Sequence, residues 1–363
     1  MVSNIIDDSI NALLSLLRNL FGKKDYTETG NSVDWHKVYD LSCQYGVSAV
    51  VGDGIQQLVG INIEEDLYYK WIGQSLVKEE DFAHHLSIVR EFACRCAEWN
   101  VKVYVLKGLA FSTYYPNPKH RPCGDIDVFC VSEGGKPAYH QGNEVARLMG
   151  AKVDTHWYKH SQIHYKGVMI ENHEYLVCTR EGKRYKELNR RLTDLLLSDT
   201  KNRSLFDTVA LMPSTYFNAL FQAYHTCSHF LSEGIGMKHV LDWATFIQKE
   251  QDNIEWSQYY TDCERYHLKR FVVAMTDIAA NKLGVNISNT SIEINSPYAE
   301  RLWNSVLYDD AKVFGTPGGA WNHRVRLVKN AIKYKWKFTE IAQESFIRHI
   351  IISVFGFFFH TED

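Results

Sequence analysis

Leu106-Lys107-Gly108, followed by Arg121-Pro122-Cys123-Gly124-Asp125-Ile126-Asp127-Val128, is the stretch from which the fold of this chain is read. Val101, Val103 and Val105 alternate with Lys102, Tyr104 and Leu106, which predicts a strand ended by the Lys107-Gly108 turn. Residues 126–131 form a second short β-branched run. Alternate side chains of a strand share a face, so Asp125 and Asp127 point one way while Ile126 and Val128 pack into the core. Two like charges side by side are unfavourable unless a cation relieves them. Hard divalent ions such as Mg²⁺ (or Mn²⁺) take carboxylate oxygens and retain waters for phosphate substrates.

A third acid, Glu171, stands in Val168-Met169-Ile170-Glu171-Asn172-His173, a predicted strand of otherwise apolar residues. If that strand lies beside the Asp125/Asp127 strand, three carboxylates converge. That is enough to hold two ions about 3.5–4 Å apart in a phosphoryl-transfer site. Asp125, Asp127 and Glu171 are therefore the expected metal ligands and catalytic groups. Gly108 precedes a short helix predicted over 109–115, where backbone N–H groups can approach a phosphate closely.

Outward from this core the pattern is helical on both sides. Ile6, Ile10, Leu13, Leu14, Leu17 and Leu20 recur at helical spacing, and residues 35–45 and 67–99 continue in the same way. After the 126–131 strand come a Gly134-Gly135 turn, a helical stretch near 143–149, and strands expected over 151–158, 162–165 and 168–172. The Lys166-Gly167 pair between the last two reads as a hairpin turn. Beyond Lys183 helical periodicity returns to the end, with helices expected over 184–197, 214–231, 236–249, 256–282 and 320–356. The fold class is α+β, a small mixed β-sheet core with a helical N-terminal region and a C-terminal helical domain. The expected boundaries are 1–99, 100–180 and 181–363.

The chain has 363 residues, 45% of them hydrophobic and 23% charged, enough to bury one or two cores. A net charge of −3 supplies no basic field for non-specific nucleic-acid binding. Eight cysteines without a CxxC pair suggest neither a disulfide framework nor a zinc ribbon, and a reducing cytoplasm is the simplest location. Two acids within residues 1–8 argue against a signal or transit peptide. The uncharged stretch 349–361, with Phe355 and Phe357, Phe358 and Phe359, is shorter than the ~20 residues a membrane-crossing helix needs. It reads as a core-packing helix or, alternatively, an interface anchor or partner surface. The segment 208–232 is longer but holds Pro213, Asn218, Gln222, His225 and His229, which suits a helix buried in protein.

A strand ending in a glycine turn, a short helix, Asp-x-Asp on the next strand and a distal acid on a later one resembles the polymerase-β-like nucleotidyltransferase superfamily. Within it, Leu106-Lys107-Gly108, Arg121, Gly124-Asp125-Ile126-Asp127 and Ile170-Glu171-Asn172-His173 resemble the large uncharacterised bacterial nucleotidyltransferase family. The resemblance covers residues 100–175 well and 224–246 more loosely. It implies Mg²⁺-dependent transfer of a nucleoside monophosphate from an NTP, with ATP the expected nucleotide, to an acceptor hydroxyl that the family does not reveal. Many superfamily members have Gly-Ser where this chain has Gly108-Leu109. Positive charge at the phosphates then falls to Lys107 and Arg121, and Lys107, Gly108 and Arg121 are the expected nucleotide-binding residues. Glu171 is the candidate general base.

Other residues carry open readings. His225 and His229, four apart on a predicted helix, suit a metal pair, a pocket lining or a buried hydrogen-bonded pair; the Glu of a zinc-protease motif is missing. Lys238 and Asp242, also four apart, read as a helix ion pair or as pocket residues. His173 shares the face of Glu171 and either orients the metal site or simply packs. Two rivals to the enzyme stand beside it: an inactive nucleotide- or partner-binding protein on the same scaffold, and a metallohydrolase built on His225 and His229.

Overall fold

The computed structural model describes residues 2–23, 33–58, 63–199, 201, 203–308 and 334–346. Four helices come first: α1 (Val2–Arg18), α2 (Trp35–Gln44), α3 (Ser48–Gln56) and the long α4 (Glu65–Glu98). The central part runs β1 (Val101–Val105), α5 (Leu109–Ser112), β2 (Ile126–Ser132), α6 (Tyr139–Leu148), β3 (Lys152–Asp154), β4 (His160–Tyr165) and β5 (Val168–His173). Then follow α7 (Lys183–Leu197), β6 (Arg203–Ser204), β7 (Leu211–Met212), α8 (Thr215–Ser232), α9 (Met237–Glu250), α10 (Trp256–Arg265), α11 (Lys269–Asn281) and α12 (Ala299–Tyr308). The result is the expected α+β arrangement around one mixed sheet, of order β3-β4-β5-β2-β1-β7-β6.

Strand β2 sits at the middle of the sheet, antiparallel to β1 and parallel to β5. Its period-2 pattern sorts the two faces. Ile126, Val128 and Cys130 join Phe82, Val89, Phe92 and Ala93 of α4 and Val145 of α6 in one apolar cluster. Phe129 and Val131, with Tyr104 and Leu106 of the β1 segment, join Phe217 and Phe221 of α8 and Phe246 of α9 in another. Asp127 falls on this second face. Each large side chain so buried contributes about 1.5–3 kcal/mol, so a one-residue slip of β2 would reverse both clusters at once. Close approach of α6 to the sheet depends on Gly142, where a Cβ would stand 2.6 Å from the Cys130 sulfur and 3.1 Å from Asn172.

The β4–β5 hairpin turns at Lys166 and Gly167, both with positive φ (47° and 80°), as a two-residue turn requires. Several expected boundaries change. The 151–158 strand shortens to Lys152–Asp154. The short helix after Gly108 ends at Ser112. The expected helix 256–282 divides into α10 and α11, because His267 takes a φ of 61° and turns the chain where no Gly or Pro marks a break. Two-residue strands β6 and β7 extend the sheet from a stretch read as helical, too short for alternation to show. Of the predicted helix 320–356 only 334–346 is described, and there a π-helical turn, Lys337–Ile341, precedes Gln343 with a φ of 51°. The apolar stretch 349–361 lies outside the described residues. Among the described residues no helix is long and apolar enough to cross a membrane.

Candidate active site

Asp127 and Glu171 are register partners across the parallel β2–β5 pair, and Asp125 lies just before β2. Asp125, Asp127 and Glu171 each offer an oxygen, and these atoms lie within 4.8 Å of one another. Alternation brings Asp125 and Asp127 to one face, and the pairing register brings Glu171 to it.

The cluster is electrostatically asymmetric. Asp127 is 1% exposed; its Oδ1 accepts from Lys107 Nζ at 2.8 Å and lies 2.9 Å from His173 Nε2. Burial alone would raise its pKa, but Lys107 and His173 outweigh burial and hold it well below the usual carboxylate range. Glu171 goes the other way. Burial first, and then the charges of Asp127 and Asp125 against the opposing pull of Lys107, push it up to about 8. Of the two facing carboxylates, Asp127 holds the charge and Glu171 the proton, because Asp127 has the ammonium. Burial acts to deprotonate Lys107, yet Asp127, Asp125 and Glu171 together raise its pKa, so it stays charged.

Three carboxylates that keep an internal ammonium among them form a donor set suited to a hard divalent cation. Gly108 makes this approach possible. Its φ of 59° and ψ of −109° favour glycine, and a Cβ there would stand 3.5 Å from the Asp125 carbonyl and 4.0 Å from Arg121 Nη1. Leu109, one residue on, is 2% exposed and points into the apolar cluster beneath the sheet.

Arg121 has a different setting from an open phosphate-binding arginine. Its guanidinium is buried and donates from Nε and Nη2 to the two carboxylate oxygens of Asp242 at 2.9 and 2.8 Å, and from Nη1 to the Pro122 carbonyl at 3.0 Å. Asp242 also accepts from the Tyr115 hydroxyl at 2.8 Å. The ion pair expected between Lys238 and Asp242 thus gives way to one between Arg121 and Asp242. Burial would raise the Asp242 pKa, but Arg121 outweighs it and lowers it. Lys238 is left half-buried, its pKa lowered by burial and then by Arg121, with Lys107 and Asp125 close enough to contribute.

His225 and His229 face each other, Nε2 to Nε2 at 3.1 Å, with Glu233 on the Nδ1 of His229. Burial and then the charge of Lys107 hold His225 well below its ordinary pKa. No third His, Cys, Asp or Glu completes a metal group with this pair among the described residues. His173 meets Asp127 directly, and its Nδ1 lies 3.2 Å from the Tyr175 carbonyl. Burial lowers its pKa despite Asp127.

The residue absent from the sequence reading is His160. It pairs in register with His173, and its Nε2 lies 3.3 Å from Glu171 Oε1. Burial, then His173, lowers its pKa to about 3. The Lys166-Gly167 turn contains the signal: extending the hairpin from that turn puts residue 160 opposite 173, but a strand begun at 162 hides it.

A mixed sheet presenting three converging carboxylates beside a glycine turn defines an α+β protein with an acidic cluster able to hold a metal ion. The chain belongs to the uncharacterised nucleotidyltransferase family, whose profile matches residues 31–284, well over half of its length. Comparisons with curated proteins and with solved structures found no match.

Proposed function

We propose that this chain transfers a nucleoside monophosphate from an NTP, ATP foremost, to an acceptor hydroxyl, with release of pyrophosphate. The observation that supports this reading most is the convergence of Asp125, Asp127 and Glu171 within a chain of this family. A divalent cation, Mg²⁺ or Mn²⁺, held by these three residues would supply charge neutralisation and lower the pKa of a bound hydroxyl.

The chain's own groups do the rest. The acceptor oxygen attacks the α-phosphorus in line, the bond from that phosphorus to the bridging oxygen breaks, and pyrophosphate leaves. Glu171, once deprotonated, is the group suited to take the hydroxyl proton. Lys107 and Lys238 bring positive charge to the phosphates, and Gly108 lets backbone approach them. Arg121, tied to Asp242, braces the Gly108 turn against α9.

Incubation with each labelled NTP and either Mg²⁺ or Mn²⁺, following pyrophosphate release and self-labelling, tests the proposal. Asp127→Asn, which keeps volume and removes charge, should reduce pyrophosphate release at least ~10²-fold. Wild-type release no faster than that of the variant would overturn it. The buried Leu109, which presents no hydroxyl at the turn, favours the second reading, a nucleotide-binding protein without turnover.

A further inference from the structure

His173 and His160 stand at the edge of the acidic cluster, and a buried ring nitrogen of His160 has no hydrogen-bond partner. His173 Nδ1 faces the Tyr175 carbonyl at 3.2 Å, while Nε2 faces Asp127 Oδ1 at 2.9 Å and Glu171 Oε2 at 3.7 Å. A neutral imidazole has one N–H. With that hydrogen on Nδ1 and given to the Tyr175 carbonyl, Nε2 exchanges its hydrogen bond to Asp127 for a lone pair that a cation between Asp127 and Glu171 can take. Metal-ligating histidines have this arrangement: one nitrogen donates to a backbone carbonyl or carboxylate and the other is presented to the ion.

His160 is incomplete in its own way. Its Nε2 lies 3.3 Å from Glu171 Oε1, and its buried Nδ1 has no hydrogen-bond partner. No bond on Nδ1 fixes the tautomer, so the ring can present Nε2 to a cation and lose only its contact with Glu171. One nitrogen or oxygen each from His160, Glu171 and His173 lies within 4.8 Å of the others, so this group shares Glu171 with the carboxylate set. The β4–β5 register fixes the juxtaposition, placing His160 opposite His173.

We propose that His160 and His173 are direct ligands of an ion at this site, which therefore takes a divalent transition-metal ion through nitrogen as well as oxygen and prefers it to Mg²⁺. Imidazole nitrogen suits first-row transition ions, whereas Mg²⁺ takes oxygen almost alone. The inference rests on the reading of the acidic cluster as a metal site and makes no use of the transfer reaction.

The test uses the full chain with Mn²⁺ alone and no nucleotide. Pulsed EPR of bound Mn²⁺ should show ¹⁴N coupling from coordinated imidazole. Calorimetry should find Mn²⁺ bound at least about tenfold tighter than Mg²⁺. His160→Ala should lower Mn²⁺ affinity about tenfold or more while changing that for Mg²⁺ by less than about twofold. His173→Ala, whose buried ring supports Asp127, is the harsher variant; the wild-type spectrum and His160→Ala decide the matter should it fail to fold. Bound Mn²⁺ without nitrogen coupling, or a His160→Ala protein with unchanged Mn²⁺ affinity, would overturn the inference and leave nucleotidyl transfer standing. Nitrogen-coupled Mn²⁺ in a protein that transfers nothing would uphold it and remove the proposed function instead. No Mn²⁺ binding would likewise overturn the inference, while pyrophosphate release with Mg²⁺ decides the proposed function separately.

Discussion

Arg121 and Asp242, 121 residues apart in the chain, meet in a buried bidentate ion pair that joins the loop before β2 to helix α9. The guanidinium and carboxylate are 6% and 3% exposed, so neither has water to replace its partner. Removing one member leaves an uncompensated buried charge. Asp242→Ala should cost about 3–5 kcal/mol in urea unfolding, whereas Arg121→Met combined with Asp242→Leu should recover much of that loss. Equal losses for the single and double variants would show that the pair contributes through packing alone.

Glu171 links stability to pH with a definite sign. Its folded-state pKa, about 8, lies above its ordinary 4.5, so the folded chain binds the extra proton. In metal-free protein this stabilisation is fully present below pH 4.5 and is lost as pH rises towards 8. A divalent cation must displace that proton below pH 8, so added Mg²⁺ should raise the melting temperature more at pH 8.5 than at pH 6. A Mg²⁺ effect independent of pH, or equally large in Glu171→Gln, would count against Glu171 as a ligand.

The Gly108-Leu109 departure from Gly-Ser has a structural consequence. Leu109 is packed with Val105, Ala110 and Ile126 in the apolar cluster. Leu109→Ser would remove that packing and bury a hydroxyl, at a cost of about 3–5 kcal/mol. Nucleotide affinity should not improve, because the side chain points into the core. Urea denaturation and a nucleotide titration of the same preparation check both outcomes.

His120 provides a second pH dependence away from the carboxylates. Its Nδ1 lies 2.8 Å from both oxygens of Asp53, and its Nε2 lies 3.1 Å from Glu79. Burial opposes the charged ring, but Asp53 and Glu79 raise its pKa above 6.5. The stabilisation is present below pH 6.5 and lost as pH rises through the folded-state value. Glu79, lowered chiefly by its hydrogen bond from Lys119 and further by His120, contributes above pH 4.5 and loses that contribution as pH falls through its folded-state value. The difference in urea midpoint between wild type and His120→Gln should therefore shrink as pH is raised from 6 to 9.

The sequence by itself determined what depends on neighbours along the chain. Alternation in β2 sets Asp127 on one face and Ile126 and Val128 on the other, and the Lys166-Gly167 turn forms the β4–β5 hairpin through backbone conformations available to those residues. Only the tertiary structure decided what depends on distant segments meeting. The parallel register of Asp127 with Glu171, the preference of Asp242 for Arg121 over Lys238, the edge strands β6 and β7, and the facing of His160 and His173 on the acidic cluster are of this kind. The break at His267 belongs with them, since no local turn residue announces it. The physical reason is one of range: periodicity and turn chemistry act over a few residues, whereas pairing register and buried charge are chosen by the whole core, where an unpartnered ion or a misplaced apolar face costs more than any local preference supplies.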